Sequence, residues 1–533
     1  MPDAVGTTAM TTSPAITDDS VDSTSTSTST STSTSTGSAS TSGSESSTGP
    51  SLPPPCEAPD VECGPQCDPW WDPSWSYRQR VSVALQPDEP VELGTLGDVV
   101  VPVRLDDAFP LGCTQWTTGD DLRFVREADV GVFEVMAAEL DEWGSSGSTA
   151  WVHVPQLVDG EASFWVYYGN AEVEADAGLA SDVWAAESTG YQAVLHLGDD
   201  FEDSTLGQHH GTAPNTDDPP TLMHVEGVVG HAIHFEPVHK GQRIELTGTS
   251  AIDDEIEQNN EITVTAWVQV TPQVKGDTPW KSIVGRGSDY WGLSIWDDDC
   301  NFVNGDVIPR FFTECEPCRH DSTVCNLDNL CPQCPCINRN NECDGFGDYP
   351  TILQTYPEFP SCSQDGEDVE DPACPGLHMG NHWVNGTTSL TVDDVQSAWF
   401  FIAAVHGPAG VTCDDDVDCG CVGLDPPIVC DPALGSQVYE KRLYVNGQND
   451  MHPMFSPKCG CFPYDPIDDV GSIAIGTSSG APDQFAFHGE IDEIRISSRA
   501  WSSLRIRAEY ELTRPDRSPV TLGPVESCGA GCR

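Results

Sequence analysis

Two cysteine pairs have the spacing of a metal site. Cys315 and Cys318 form one Cys-x2-Cys pair, Cys331 and Cys334 form another, and twelve residues separate the pairs. Four thiolates at such a spacing can surround a zinc ion tetrahedrally. The chain holds 22 cysteines in all, however, a content typical of disulfide-bonded proteins in an oxidising compartment. Disulfide bonds are therefore the favoured interpretation, and zinc is the alternative.

Clustered aspartates form the second group that could bind a ligand. Asp199, Asp200 and Asp203 lie in one short loop and offer the hard oxygen atoms that Ca²⁺ prefers. A solvated acidic turn is the alternative interpretation of this loop. His209 and His210 follow in a Gly-rich segment without a third ligand at metal spacing, so we expect them to be solvated.

Motifs for several common chemistries are absent from the sequence. We find no G-x-S-x-G elbow, P-loop or dinucleotide fingerprint in a strand-to-helix context, which argues against hydrolase, NTPase and Rossmann chemistry. The 85 acidic and 23 basic residues give a formal net charge of −62. This charge repels phosphate backbones and anionic headgroups, so nucleic acid is excluded as a partner. Solubility, or adaptation to a salty medium, explains the charge most simply, and cation binding is the other explanation.

The cysteine content also predicts the compartment. Twenty-two cysteines indicate export, and no stretch reaches the roughly 18 apolar residues of a membrane span. Residues 1–20 contain neither a basic start nor an apolar run of signal-peptide type. We therefore expect an extracellular or cell-surface protein whose signal or lipid anchor precedes Met1.

The chain divides by composition into five segments. We predict a disordered Ser/Thr-rich stalk (1–55), a Cys/Trp-rich lead-in (56–76), a β domain (77–188), a larger β domain (189–524) and a Cys-containing tail (525–533). Short alternating runs separated by Gly, Pro and Asp predict antiparallel strands in both β domains. The Asn446-Gly447 pair predicts a tight type I′ hairpin, and residues 502–512 predict a short closing helix. The predicted fold class is all-β, with two β-sandwich domains.

The first β domain resembles a family of unknown function. The motifs WSYRQRVSVAL, DLRFVR, AWVHVPQL and FWVYYGN are similar to the domain that often precedes a LamG-like domain in bacterial surface proteins. No activity is established for that family. The resemblance therefore implies a location at the cell surface more than a chemistry.

The second β domain resembles the LamG-like family of concanavalin A-like lectins and glucanases. The motifs GVVGHAIHF, EITVTAWV, LYVNG and GEIDEIRISSRAWSSLRI occur in the family's order, which implies a jelly roll. The sequence departs from the family in Cys-rich insertions near 297–381, 408–437 and 448–470, which hold ten, four and two cysteines. Such long loops need disulfide bonds to persist.

The resemblance extends to possible site residues. In LamG-like relatives an early acidic loop can hold calcium. The resemblance therefore implies a calcium site at Asp199 and Asp203, with Asp492 as a third ligand. Related glycanases carry E-x-D-x-E on one strand, whereas this chain has Glu490 and Asp492 followed by Ile494. The third carboxylate is missing, so we expect no enzyme activity. Asp492 is instead expected to fix a turn or an ion, with the neighbouring isoleucines packing around a bend.

These observations favour a non-catalytic binding protein. We expect adhesion or carbohydrate recognition through the jelly-roll loops, with a glycan or a surface protein as partner. Trp291, Trp296 and Trp383 could stack on sugar rings, although burial in the core is the more common role of such residues. A structural or protein-interaction role in the cell envelope is the alternative. A glycan hydrolase is the third possibility and lacks a second catalytic carboxylate.

Overall fold

A computed structural model describes residues 61–63, 69–87, 93–105, 109, 118–143, 148–170, 172–173, 180–198, 200–213, 222–236, 241–271, 280–286, 291–297, 307–313, 362–364, 367–369, 383–385, 398–412, 437–449, 472–477 and 486–528. These residues all belong to one compact unit. The predicted stalk, the two Cys-x2-Cys pairs and most of the three insertions lie outside the described residues. Within the described part of the chain, no helix is long and apolar enough to cross a membrane.

The first sandwich forms from eight strands of the N-terminal half. They are β1 (Val61–Cys63), β2 (Tyr77–Ala84), β3 (Thr95–Arg104), β4 (Arg123–Asp129), β5 (Val132–Met136), β6 (Ala138–Asp141), β7 (Thr149–Val158) and β8 (Glu161–Tyr168). One layer contains β2, β8, β4 and β5, and the other contains β3, β7 and β6; the β7–β8 hairpin joins them. In β3, Val99, Val101 and Val103 face the core of this sandwich, whereas Val100 lies on the opposite side of the strand, in a different apolar cluster. This period of two confirms the predicted strand pattern.

The second sandwich contains two sheets. After α1 (Ala180–Val183) come β9 (Tyr191–Leu195), β10 (Gly211–Thr212), β11 (Met223–Glu226), β12 (His231–Phe235), β13 (Ile244–Leu246), α2 (Ser250–Asn259), β14 (Ile262–Val270), β15 (Trp280–Arg286), β16 (Trp291–Asp297), β17 (Val307–Thr313), β18 (Cys362–Gln364), β19 (Glu367–Val369), β20 (Trp383–Asn385), β21 (Phe400–Thr412), β22 (Gln437–Val445), β23 (Gln448–Asn449), β24 (Ile473–Ile475) and β25 (Gly489–Ser497). The first sheet has the order β11-β12-β25-β14-β21-β22-β23, with β9 also paired to β25. The second has the order β10-β13-β24-β15-β16-β17-β20. The all-β jelly-roll architecture is therefore confirmed.

The main core lies between these two sheets. In β14, Val264, Ala266 and Val268 face this core, whereas Trp267 faces the opposite side. The predicted hairpin also forms, with Asn446 and Gly447 at φ 48° and 71° between β22 and β23. The residue types of the turn therefore predict this local structure correctly.

The chain returns to the first sandwich after the jelly roll. The predicted closing helix forms as α3 (Ser503–Thr513), and the Ser502 side chain caps it by accepting a hydrogen bond from the Arg505 N–H. The strands β26 (Val520–Leu522) and β27 (Glu526–Cys528) then pair with β2. β27 also pairs in parallel with β1. The sheet of the first sandwich thus contains strands from both ends of the described chain, a feature that the predicted domain boundaries do not include.

A β-bulge interrupts β25. Thr265 of β14 lies opposite Arg495 and Trp267 lies opposite Asp492, so two residues of β25 oppose one residue of β14. Glu493, one of the two, has the left-handed φ of 52°. Ile491 and Ile494 both remain in the core, which confirms the predicted packing of isoleucines around a bend. As a result, Asp492, Glu493 and Arg495 all project to the side away from the main core.

This charged side of β25 faces the first sandwich. A third apolar cluster lies there, to which Trp267 and Phe401 contribute from the jelly roll, Tyr510 from α3, and Val100 and Trp151 from the first sandwich. The outer face of this jelly-roll sheet is therefore covered by α3 and by the β3–β7–β6 layer.

Candidate functional site

Asp203, one of the three predicted calcium ligands, organises its own loop. The side chain is buried, and its Oδ1 accepts hydrogen bonds from the N–H groups of Val194 (2.9 Å) and Thr205 (3.0 Å). Its Oδ2 accepts from the Thr205 hydroxyl (2.8 Å) and the His209 N–H (2.7 Å). Both carboxylate oxygens are thus occupied by donors from the chain itself.

Asp492, the second predicted ligand, holds a different turn. It is fully buried, and its Oδ2 accepts from the N–H groups of Val228 (2.6 Å) and Val229 (3.1 Å) in the GVVG turn. Burial, assisted by the nearby Glu493 carboxylate, raises the pKa of Asp492 well above its usual range. Of the two expected roles of Asp492, fixing a turn or an ion, these hydrogen bonds correspond to the first, and the calcium role stays a prediction. Asp199 lies outside the described residues, and among the described ones no group of three acidic, His or Cys side chains could hold a metal ion.

The remaining carboxylates of β25 also have structural partners. Glu490 accepts a hydrogen bond from the imidazole Nδ1 of His234 on β12 at 2.8 Å. Glu493 is 2 % exposed and contacts two cations, the His196 ring (2.9 Å) and the Arg495 guanidinium (2.9 Å). The strand that resembles a glycanase sequence therefore carries three carboxylates that each bind a group of the fold.

His196 lies between carboxylates of the two sandwiches. Its Nδ1 donates to Glu493 on β25, and its Nε2 lies 3.6 Å from Glu139 Oε2 on β6. Trp151 of β7 stacks on the imidazole with a centroid distance of 4.7 Å. Burial disfavours the charged ring, but Glu493 and Glu139 outweigh this, so the pKa of His196 lies well above the usual value. The two carboxylates therefore favour the protonated form of this buried imidazole.

Glu139 and Glu142 of the first sandwich anchor it to the jelly roll. Glu139 also accepts hydrogen bonds from the Trp184 indole (2.5 Å) and the Ser204 hydroxyl (2.6 Å). Glu142 accepts from both the backbone N–H (2.8 Å) and the Nδ1 (2.7 Å) of His231, next to the GVVG turn. We call this set of contacts, centred on Glu139, Glu142, His196 and His231, the seam.

Gly230 shows how closely the first sandwich approaches the GVVG turn. A Cβ atom added there would lie 2.6 Å from the carboxyl carbon of Glu142, and the residue has a φ of 67°. Arg104 of β3 donates to the carbonyl of Val228 in the same turn at 2.9 Å. The GVVG motif, singled out by resemblance, is thus a docking element for the first sandwich.

An open cleft of about 590 Å³ lies beside the first sandwich and the segment after α1. Asp98 on its wall contacts the His153 Nε2 at 3.2 Å and accepts a hydrogen bond from the Ser188 hydroxyl at 2.5 Å. The serine thus donates to the carboxylate, so the imidazole is not positioned to take its proton as in a nucleophilic triad. Asp182 and Glu187 make the lining more acidic.

The tryptophans of the lead-in cover the outer face of the first sandwich. The Arg78 guanidinium lies 4.5 Å from the centroid of Trp70 and 3.9 Å from that of Trp165. It also pairs with Glu526 of β27 at 2.8 Å and contacts the Tyr167 hydroxyl at 3.1 Å. These contacts join the lead-in, β2 and the C-terminal strand, which gives the aromatic cluster a structural role.

Two further expectations have clear outcomes. Trp291 is fully buried in the main core, so it cannot stack on a sugar; the side chains of Trp296 and Trp383 lie outside the described residues. The expectation that His209 is solvated is wrong, because this residue is only 7 % exposed and its Nδ1 contacts the Thr247 carbonyl at 3.0 Å. The contact of His209 with Asp203 lies within the connection from β9 to β10, whereas its contact with Thr247 reaches the segment after β13, and sequence spacing gave no signal for either.

No protein-family model and no curated protein matches this sequence. Among solved structures, domain 4 of AbnA, a GH43 extracellular arabinanase from Geobacillus stearothermophilus, in complex with arabinotriose, aligns with 15% identity over 62% of this chain and 100% of that chain, at a TM-score of 0.28. The binding domain of Paraclostridial Mosquitocidal Protein 1 aligns with 12% identity over 60% of this chain and 52% of that chain, at a TM-score of 0.30.

A third similar structure is the receptor binding domain of the botulinum neurotoxin C/D mosaic serotype. It aligns with 10% identity over 60% of this chain and 51% of that chain, at a TM-score of 0.30. The match thus spans about half the length of the two toxin domains. Similarity at this level carries no argument about function, and membership of the LamG-like family stays a prediction.

Proposed function

We propose that this chain is a non-catalytic binding protein exposed outside the cell, which recognises a carbohydrate through loops of its jelly roll. One observation carries the non-catalytic part of the proposal. The side of β25 that bears Asp492 and Glu493 is packed against the first sandwich, and the two residues are 0 % and 2 % exposed. A glycan cannot reach carboxylates in this position, and general acid–base catalysis requires such contact.

The same packing supports a ligand site on the loops rather than on this face. The outer face of the sheet that contains β14, β21 and β25 is covered by α3 and the first sandwich. The predicted insertion 408–437 falls at the connection from β21 to β22, and the insertion 297–381 begins at the end of β16. Loops placed on a rigid sandwich can vary while the core is kept, which suits a recognition surface.

A glycan array probed with the oxidatively refolded full chain tests the proposal, together with an assay for reducing sugar released from the glycans that bind. The expected result is binding without release. Release of sugar that disappears in the Glu490→Gln variant would overturn the non-catalytic assignment, because Glu490 is the partly exposed carboxylate of β25. A folded chain that binds no glycan would refute the carbohydrate assignment.

A second candidate is a protein-interaction protein of the cell envelope that binds no sugar. The contact between the two sandwiches favours it, because one broad face of the jelly roll already binds a protein surface, that of the first sandwich. Binding to purified envelope proteins, combined with a negative glycan array, would support this candidate over the first.

We also propose that calcium orders the loop of Asp199 through ligands other than Asp203, whose two oxygens already accept hydrogen bonds from the chain. Thermal unfolding of residues 56–533 with calcium and with chelator tests it, because an ion that binds the native state raises the unfolding midpoint. An unchanged midpoint at millimolar calcium would remove the ion from the proposal.

A further inference from the structure

The seam joins the sandwiches through paired histidines and carboxylates. Both glutamates come from the first sandwich, at β6 and directly after it, and both histidines come from the jelly roll. Glu142 lies 2.7 Å from His231, and Glu139 lies 3.6 Å from His196. The His231 side chain is 39% exposed, whereas that of His196 is 8% exposed, so water screens only the first pair effectively.

The charge around His196 is unbalanced without its proton. The acidic groups around it are Glu139 and Asp141 from the first sandwich and Glu493 from β25. The other elements packed around it contribute Trp151, Trp184 and the guanidinium of Arg495, which lies about equally close to both indoles, 5.0 and 5.3 Å from their centroids.

Arg495 cannot supply the missing charge. Its guanidinium is shared with Glu509 of α3, which also accepts hydrogen bonds from Arg505 and from the Tyr191 hydroxyl. A neutral His196 would therefore leave Glu139 and Glu493 on either side of an uncharged ring, with Arg495 as the cation beside Glu493. Charges of one sign in a buried site repel each other strongly, because the low dielectric of the interior screens them little.

We propose that a proton on His196 holds the two sandwiches together, so that the seam is closed in mildly acidic and neutral solution and loosens as the pH rises. On deprotonation the proton passes to solvent and the carboxylates of Glu139 and Glu493 repel each other. Because these two residues belong to different sandwiches, their repulsion acts directly on the docking. This inference goes beyond the proposed binding function and does not depend on it.

The direction of the pH dependence follows from the titration of His196. The pKa of His196 is raised above its ordinary value of 6.5, so its contribution is fully present below pH 6.5 and is lost as the pH rises through the raised pKa. Burial raises the pKa of Asp141 to about 6. Its ionisation therefore adds a further negative charge as the pH rises through about 6. Both groups therefore weaken the seam at higher pH.

Pulse-labelled amide exchange of the full chain at pH 6 and pH 9.5 tests the proposal, with pulse lengths scaled to the intrinsic exchange rates. We expect protection of segments 138–142 and 227–231 to fall at least tenfold at pH 9.5, while β15 in the far sheet stays protected. Exchange at the His196 C2 position, measured by mass spectrometry across the same range, should give a pKa above the usual histidine value of 6.5.

Variants separate the seam from general pH effects. His196→Gln should show low protection of the seam segments at both pH values. His234→Gln is the matched control, since it removes a His–Glu pair within the jelly roll, and it should retain the wild-type pH response. Equal protection of the seam at both pH values in the wild-type chain would overturn the proposal, whether or not the variants fold.

Discussion

Arg495 offers the sharpest test of how buried charge stabilises this fold. Its side chain is 4% exposed and pairs with Glu493 at 2.9 Å and with Glu509 of α3. Its guanidinium also lies 5.0 Å from the centroid of Trp151 in the first sandwich. The residue thus connects β25, α3 and the first sandwich at a point shielded from water.

The Arg495→Met variant keeps much of the side-chain volume and removes the charge. Two buried carboxylates then lose a partner, and removal of one member of a buried ion pair costs about 3–5 kcal/mol. Urea unfolding at pH 7 under non-reducing conditions, followed by tryptophan fluorescence, should show this loss as a lower midpoint with an unchanged slope. Arg126→Met is the matched control: Arg126 pairs with Glu134, the two are 32% and 50% exposed, and an exposed pair contributes about 0–1 kcal/mol.

The two variants must differ for the reasoning to hold. A loss for Arg495→Met within about 1 kcal/mol of the control would show that the carboxylates find other partners or water, and that the buried network is not a major source of stability. A changed slope would instead indicate separate unfolding of the two sandwiches.

Three further predictions concern the loop, the acid limit and the seam. Asp203→Asn should lower stability by about 1–3 kcal/mol, equally with calcium and with chelator in thermal unfolding, because its oxygens accept four hydrogen bonds from the chain. Burial, together with two neighbouring basic side chains, lowers the pKa of His406 to about 3, so the fold should lose stability as the pH falls below 6.5, and His406→Gln should flatten this part of the urea-midpoint profile. Gly230→Ala should weaken amide protection in 138–142 through strain and a clash with Glu142, whereas Gly131→Ala, at a similar φ of 73° with no atom within 4 Å, should show only the strain of about 1–2 kcal/mol; equal effects of the two variants on that segment would contradict the docking geometry.

Several elements could be predicted because their determinants are local. The alternation in β14 and β3 follows from a pleated strand with one face in a core, and the Asn446-Gly447 hairpin follows from the positive φ that these residues tolerate. Ser502 likewise signals the start of the closing helix through its capping hydroxyl. In each case the residue types within a few positions contain the necessary information.

The site residues were harder to predict because their partners are distant in the sequence. Glu493 contacts His196 from 297 residues away, and Asp492 accepts hydrogen bonds from the GVVG turn 264 residues earlier. Asp203 and Asp492 were grouped as ligands by resemblance, whereas the structure gives each of them backbone donors in separate elements. Acidic side chains in sequence do not reveal whether their nearest partner is an ion, water or a backbone N–H group.

Local residue patterns predict the all-β class, the hairpin and the closing helix, because periodicity and turn chemistry act over a few residues. The three-dimensional packing alone shows that the charged side of β25 is covered by the first sandwich, that the bulge places Glu493 beside His196, and that β26 and β27 return to β2. These features depend on which surfaces meet after folding. In these buried sites the electrostatic attraction between paired charges is stronger than in the extended chain, because the surroundings have a low dielectric constant.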